Sequence, residues 1–300
     1  LQIFEAYKAG KVTNLVLDLH PQNTDFFAVD WIFFVDTINF SFWSEEGEKF
    51  EVTYKNQTYT GYFAACACVK RALDHGIPLL KADFMENITE DDIANIFRGD
   101  KGISIPLAKE RLKVISEAGR VLNKKFHGSF STCLEQCNRN ALNLIKLIID
   151  NFESYRDFAE YKTQKISFLK RAQILVSDLY GCFKGTGDLA DFTNISMLTM
   201  FADYRVPQAL AYLGVLKYSS DVFKKLQEHT LLENGSELEV QLRAFSIKAC
   251  EMSKKYSNNN DALLEINTTN VDTFLWFFRR NYAKKIEEKV AFHRVRCIYY

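Results

Sequence analysis

From about residue 63 onward, apolar residues recur every three to four positions, the spacing that gives a helix one buried face. This periodicity predicts helices over 64–75, 107–125, 133–152, 167–183, 206–218, 219–228, 237–255 and 272–285. Gly76 and Pro78 close the first of them. Thr89 is an N-cap for a further helix that opens on Glu90, Asp91 and Asp92, acids suited to its positive end. The N-terminal region reads differently. Residues 31–35, WIFFV, are a continuous apolar run, which fits a buried strand or a buried helix. Residues 36–43 alternate polar and aromatic positions, and 44–47 read as a turn. Residues 50–54 and 58–62 alternate around Lys55, Asn56 and Gln57, as a β-hairpin does. Residues 1–19 read as a short helix or extended arm, broken at His20 because the residue before Pro21 avoids the helical region. The expected fold is mainly α, with a small β-hairpin element near the N-terminus.

Composition narrows the class. Of 300 residues, 47% are apolar and 25% charged, which suits a soluble protein with a sizeable core. With four prolines, no internal repeat and no low-complexity linker, residues 1–300 are expected to form one domain. Lys+Arg and Asp+Glu both number 38, which weighs against a protein that mainly grips a phosphate backbone. Seven scattered cysteines lack the His-rich partner spacing of a zinc site and read as reduced thiols in the cytoplasm. No apolar run approaches the ~20 residues of a membrane span, and no secretory leader is recognisable. Most of the 25 phenylalanines and 14 tyrosines must be core; some are free to line a pocket for a flat ligand.

Walker, dinucleotide-fingerprint, nucleophile-elbow and zinc-protease motifs are all missing. The loop at 185–188 has two glycines but no phosphate-loop lysine, and reads as a helix C-cap turn. Asp203, between Phe201 and Tyr204, has two readings. It caps a helix that starts near Val206, with Pro207 in the first turn; or it is a carboxylate walled by aromatics and suited to a cationic transition state. Four polar islands remain. His20 is either a surface loop histidine or a ligand contact. Asp36, Thr37 and Asn39 are either turn and cap donors or site residues. Lys170 and Arg171 are either a solvated face or a clamp on phosphate. Asp272, with Phe274 and Trp276, opens an aromatic helix. Arg294 and Arg296 sit in an aromatic tail expected to dock.

DTINFSFW at 36–43, SFLKRAQILV at 167–176, MFADYR at 200–205 and FHRVRCIYY at 292–300 together resemble the queuosine salvage protein family, in order and over the chain from about residue 20 to its end. The resemblance implies a helical fold similar to the helix-hairpin-helix DNA glycosylases, with two interleaved helical subdomains and an active site in the cleft between them. It implies hydrolysis of the N-glycosidic bond of queuosine 5′-monophosphate, releasing the 7-deazaguanine base queuine for reuse in tRNA modification. It implies that Asp203 is the nucleophile or stabilises the transition state, that His20 binds the base, that Phe201 stacks on it and that Asp272 and Trp276 add base contacts. In the last helix the sequence departs from the family, with Thr273, Phe274 and Phe277 where tyrosines and an acid are usual. No metal, organic cofactor, stable nucleic acid, membrane or obligate protein partner is implied.

The residues agree with that chemistry. As the bond breaks, positive charge grows on the ribose, and a carboxylate in a dry pocket stabilises or traps it. The 5′-phosphate needs cations, for which Lys170, Arg171 and Arg205 are candidates; Asp36 and Asn39 are further substrate contacts. Two alternatives compete: a DNA or RNA base glycosylase, and a non-catalytic tRNA-binding module, which would carry a basic stripe.

Overall fold

A computed structural model describes residues 19–21, 23–45, 47–184, 186–187, 189–260 and 266–300. Residues 1–18 of the expected N-terminal arm, Glu46 of the expected turn, and Gly185 and Asp188 of the two-glycine loop lie outside the described residues.

The described residues form thirteen α-helices and two antiparallel hairpins. In chain order the helices are α1 (Phe26–Thr37), α2 (Tyr62–Asp74), α3 (Ala82–Glu86), α4 (Glu90–Ile96), α5 (Ala108–Lys125), α6 (Ser131–Gln136), α7 (Ala141–Asn151), α8 (Lys170–Phe183), α9 (Arg205–Tyr212), α10 (Ser220–Gln227), α11 (Glu237–Asn260), α12 (Thr268–Asn281) and α13 (Ala283–Glu287). One hairpin joins β1 (Glu51–Tyr54) to β2 (Gln57–Thr60), the other β3 (Phe158–Tyr161) to β4 (Gln164–Ser167).

The ambiguous run at 31–35 is helix. Asp25 caps α1 by accepting from the Ala28 N–H at 2.9 Å. Trp31 to Val35 are all buried, so no polar face exists to betray the helical period. The hairpin at β1–β2 forms as expected, and its two-residue turn puts Lys55 and Asn56 in the left-handed region. The β3–β4 hairpin is a correction, because 167–183 does not begin as helix and Ser167 ends a strand. Its turn places Lys162 and Thr163 at positive φ without the Gly or Asn that usually signals it. The expected helix 133–152 is likewise two, broken where Asn138 and Arg139 turn left-handed. The helix from 206 stops at Tyr212, because Gly214 follows with φ of 74°. The last helix starts earlier than residue 272, at Thr268, where Asn267 forms a capping box with Asn270.

The largest apolar cluster is built from α1 to α8, around Trp31, Phe33, Phe130 and Phe152. A second packs α9, α11 and α12 together through Val206, Leu210, Val240, Val271 and Leu275. A buried ion pair ties the second cluster to the hairpin side: Arg243 of α11 meets Asp157 at 2.6 Å, both nearly sealed from solvent. Asp157 also accepts from the backbone N–H of Lys170 at 3.1 Å, so the same carboxylate starts α8. The C-terminal tail docks, as expected. Trp43 Nε1 donates to the Val295 carbonyl at 2.9 Å, the Ser41 N–H donates to the Tyr300 carbonyl at 2.9 Å, and the Tyr300 hydroxyl donates to Glu239 at 2.6 Å. None of the seven cysteines is paired. No helix among the described residues is long and apolar enough to cross a membrane.

Candidate active site

A cavity of about 830 Å³ is lined from α8, α9, α12, the segment 39–50 and the C-terminal tail. That size suits a small organic ligand. Asp203 lines it and is 9% exposed. Its Oδ1 accepts from the backbone N–H groups of Arg205, at 2.8 Å, and Val206, at 2.9 Å. The cap reading of this residue is met, and the same side chain lies on the cavity wall. One oxygen satisfies the start of α9; the other has no hydrogen-bond partner among the described residues and belongs to a side chain on the cavity wall.

The charged side chains on the cavity wall fall into two groups. The first is Arg205, Arg279 and Arg280, with Glu287. Arg205 reaches Glu287 at 3.2 Å, and Arg279 also pairs with that carboxylate. Arg280 makes no ion pair among the described residues and lies over the rings of Phe63, at 4.4 Å, and Trp276, at 5.3 Å. Burial and the neighbouring Arg205 push Arg279 down to about 10. Two of the guanidiniums pair with Glu287, and with Arg280 the group carries a net positive charge, suited to a phosphate.

The second group is made of carboxylates around Lys170. Asp272 accepts from the Phe201 backbone N–H at 3.1 Å, and burial, then Asp203, raise its carboxyl well above the ordinary range. Lys170 is buried and donates through Nζ to the Asn39 carbonyl, at 3.0 Å, and to Asn39 Oδ1, at 3.1 Å. Burial lowers its pKa against the opposing pull of Asp203, Asp36 and Asp272. Asp178, two turns along α8 from Lys170 on the same face, also lines the cavity. Aromatic rings also line the cavity: Phe201, Tyr62 and Trp276, the last two edge to face with centroids 6.5 Å apart.

Comparison with known proteins decides the family. Residues 19–300 match the family model described as queuosine salvage protein. The chain belongs to the queuosine salvage protein family. Among family members it is similar to the queuosine 5′-phosphate N-glycosylase/hydrolase of Mus musculus, with 43% identity over 289 residues, covering 94% of this chain and 85% of that protein. It is 41% identical to the Bos taurus protein of the same name over 290 residues, covering 94% and 84%. The Sphaerobacter thermophilus protein of that name is 37% identical over 302 residues, covering 100% of this chain and 90% of its own length.

Of the residues expected from family resemblance and local pattern, Asp203, Phe201, Asp272, Trp276, Asn39, Lys170 and Arg205 share this one cavity. Three do not line it. His20 stands behind the wall, its Nε2 sharing a hydrogen bond of 3.2 Å with the Tyr62 hydroxyl and its ring edge-on to Trp31 at 5.1 Å. Burial pulls it down to about 4, so it supports Tyr62 as a neutral ring. Asp36 is 1% exposed and accepts from Asn39 Nδ2 at 3.0 Å, which aims the Asn39 oxygens at Lys170. Arg171 is no phosphate clamp: its guanidinium donates to the backbone carbonyls of Thr37 and Ser154 and lies over the Tyr155 ring. With Arg111, which donates to the carbonyls of Ile38 and Phe40, it fixes the loop that carries Asn39.

Asp178, Arg279, Arg280 and Tyr62 were missed. For Asp178 and Arg280 a signal was present as helical spacing: Lys170, Ile174 and Asp178 at i, i+4, i+8, and Asp272, Trp276 and Arg280 likewise.

Proposed function

We propose that this chain hydrolyses the N-glycosidic bond of queuosine 5′-monophosphate, releasing queuine and ribose 5-phosphate. The observation that carries this reading is that Asp203 shares one cavity with the guanidiniums of Arg205, Arg279 and Arg280, with Asp272, and with the rings of Phe201 and Trp276. The ribose lies at Asp203, its 5′-phosphate towards Arg205, Arg279 and Arg280, and its base between Phe201 and Trp276. Phe201 stacks on the base, and Asp272 takes one of its N–H groups. As the C–N bond lengthens, the bonding pair leaves with the base and the anomeric carbon becomes cationic. The free oxygen of Asp203 stabilises that charge, water adds to the carbon, and the departing base takes up a proton. Lys170 faces the same carboxylates and keeps the site from accumulating negative charge.

Helix α8, packed in the first apolar cluster, and α9 and α12, packed in the second, all carry side chains of the cavity wall, which supports a single domain of two interleaved helical subdomains with the site in their cleft. The α-rich architecture supports kinship with the helix-hairpin-helix DNA glycosylases, and the balanced charge supports a free nucleotide as substrate rather than a nucleic acid. The unpaired cysteines fit the cytoplasm. Incubating the purified protein with queuosine 5′-monophosphate and separating products by chromatography tests the reading. Free queuine is expected; intact substrate after long incubation would refute it.

A further inference from the structure

The cluster around Lys170 holds more acid than its cations account for. Asp178, Asp203 and Asp272 line the cavity and Asp36 lies directly behind, yet Lys170 is the ammonium that all their charges meet. Three of the four have assigned contacts. Asp203 caps α9, Asp272 receives the Phe201 N–H, and Asp36 receives Asn39 Nδ2. Asp178 has no hydrogen bond among the described residues, although it sits in the wall between Ile174 and Tyr62. Asp36 Oδ2 next to it is also buried without a partner. These groups are not arranged as a metal cage: among the described residues no three His, Cys, Asp or Glu side chains are placed to hold an ion.

An unpartnered carboxylate on a cavity wall is costly unless a ligand brings N–H donors or positive charge to it. The charges of Asp36, Lys170 and Asp272 act on Asp178. It lies two turns along α8 from Lys170, on the wall of the cavity that Phe201 and Trp276 also line, the rings between which the proposed base is held. The substrate proposed above has donors to offer there: the N–H groups of its aminopyrimidinone edge and the secondary ammonium of its side arm. We infer that Asp178 is a specificity-determining residue, whose carboxylate accepts N–H donors from the bound base. The inference rests on the proposed substrate. Burial and the proximity of Asp36 raise the Asp178 carboxyl.

Binding decides this without turnover. Queuine, 7-deazaguanine and ribose 5-phosphate are titrated calorimetrically into the native protein and into Asp178→Asn, which keeps size and shape. Asp178→Asn is expected to bind queuine about 10- to 100-fold more weakly, the usual loss when a charged acceptor is removed from a buried donor, with ribose 5-phosphate unaffected. If 7-deazaguanine binding is spared, the ammonium is the donor; if it falls equally, the aminopyrimidinone edge is. Unchanged queuine affinity overturns the inference, and so does an equal loss for all three ligands, which marks Asp178 as structural. Native protein that binds neither base sinks the substrate reading itself, and the role of Asp178 with it.

Discussion

Asp203 Oδ1 accepts the backbone N–H of Val206 at 2.9 Å, so the side chain that starts α9 is also the one that meets the ribose in the proposed reaction. The two duties separate by mutation. Asn caps a helix about as well as Asp. Asp203→Asn should keep the melting temperature within a few degrees and lose roughly 10²–10³-fold or more in turnover, as when one preorganised electrostatic group is deleted. Asp203→Ala should lose the same activity and a further ~1 kcal/mol of stability. Near-normal turnover in the Asn variant would remove Asp203 from the mechanism.

Arg280 is the guanidinium of the cationic group with no ion pair among the described residues, so its substitution disturbs little else. Arg280→Gln should raise KM for queuosine 5′-monophosphate by about tenfold or more, the worth of one charge-assisted contact. Its kcat/KM for the unphosphorylated nucleoside should stay at the native level. Parallel loss on both substrates would place the phosphate elsewhere.

Asp157 has a structural task. It meets Arg243 at 2.6 Å and the Lys170 N–H at 3.1 Å, joining α11 to the start of α8. Asp157→Ala leaves a buried guanidinium without its main partner, which typically costs about 3–5 kcal/mol. Urea unfolding should report a loss of that order. A change below ~1 kcal/mol would mean that Glu239, 3.3 Å from Arg243, compensates alone.

His293 sets a pH dependence. Burial, reinforced by Arg243, pulls it from 6.5 to about 3. The unfolded chain thus takes up a proton as pH falls through 6.5, and the folded chain does not until about 3. The histidine's contribution is complete above 6.5 and is lost as pH falls across that window, by up to ~1.4 kcal/mol per pH unit. His20, pulled to about 4 by burial, acts in the same direction. His293→Gln should flatten the fall in unfolding free energy between pH 6 and 4. An unchanged slope would show that other groups govern it.

Local pattern was enough for much of the fold. The amphipathic period gave α2, α5, α8 and α11 because each buries one stripe and wets the other. Where that contrast vanished, the sequence was silent: α1 is buried on every side from Trp31 to Thr37, and the β3–β4 turn uses Lys162 and Thr163 where Gly or Asn would have announced it. At the site, MFADYR at 200–205 marked Asp203 as both cap and carboxylate, since both follow from an acid two residues before a helix.

The sequence by itself determined the helical class and the family, because periodicity and motif order are properties of the chain read in line. Only the tertiary structure decided which charges share a cavity. It sent Arg171 to the Thr37 and Ser154 carbonyls, set His20 behind Tyr62, and brought Arg280 and Asp178 into one cavity. Whether a charged side chain clamps backbone or faces a ligand depends on what other helices pack against it, and residues a hundred positions apart make that choice.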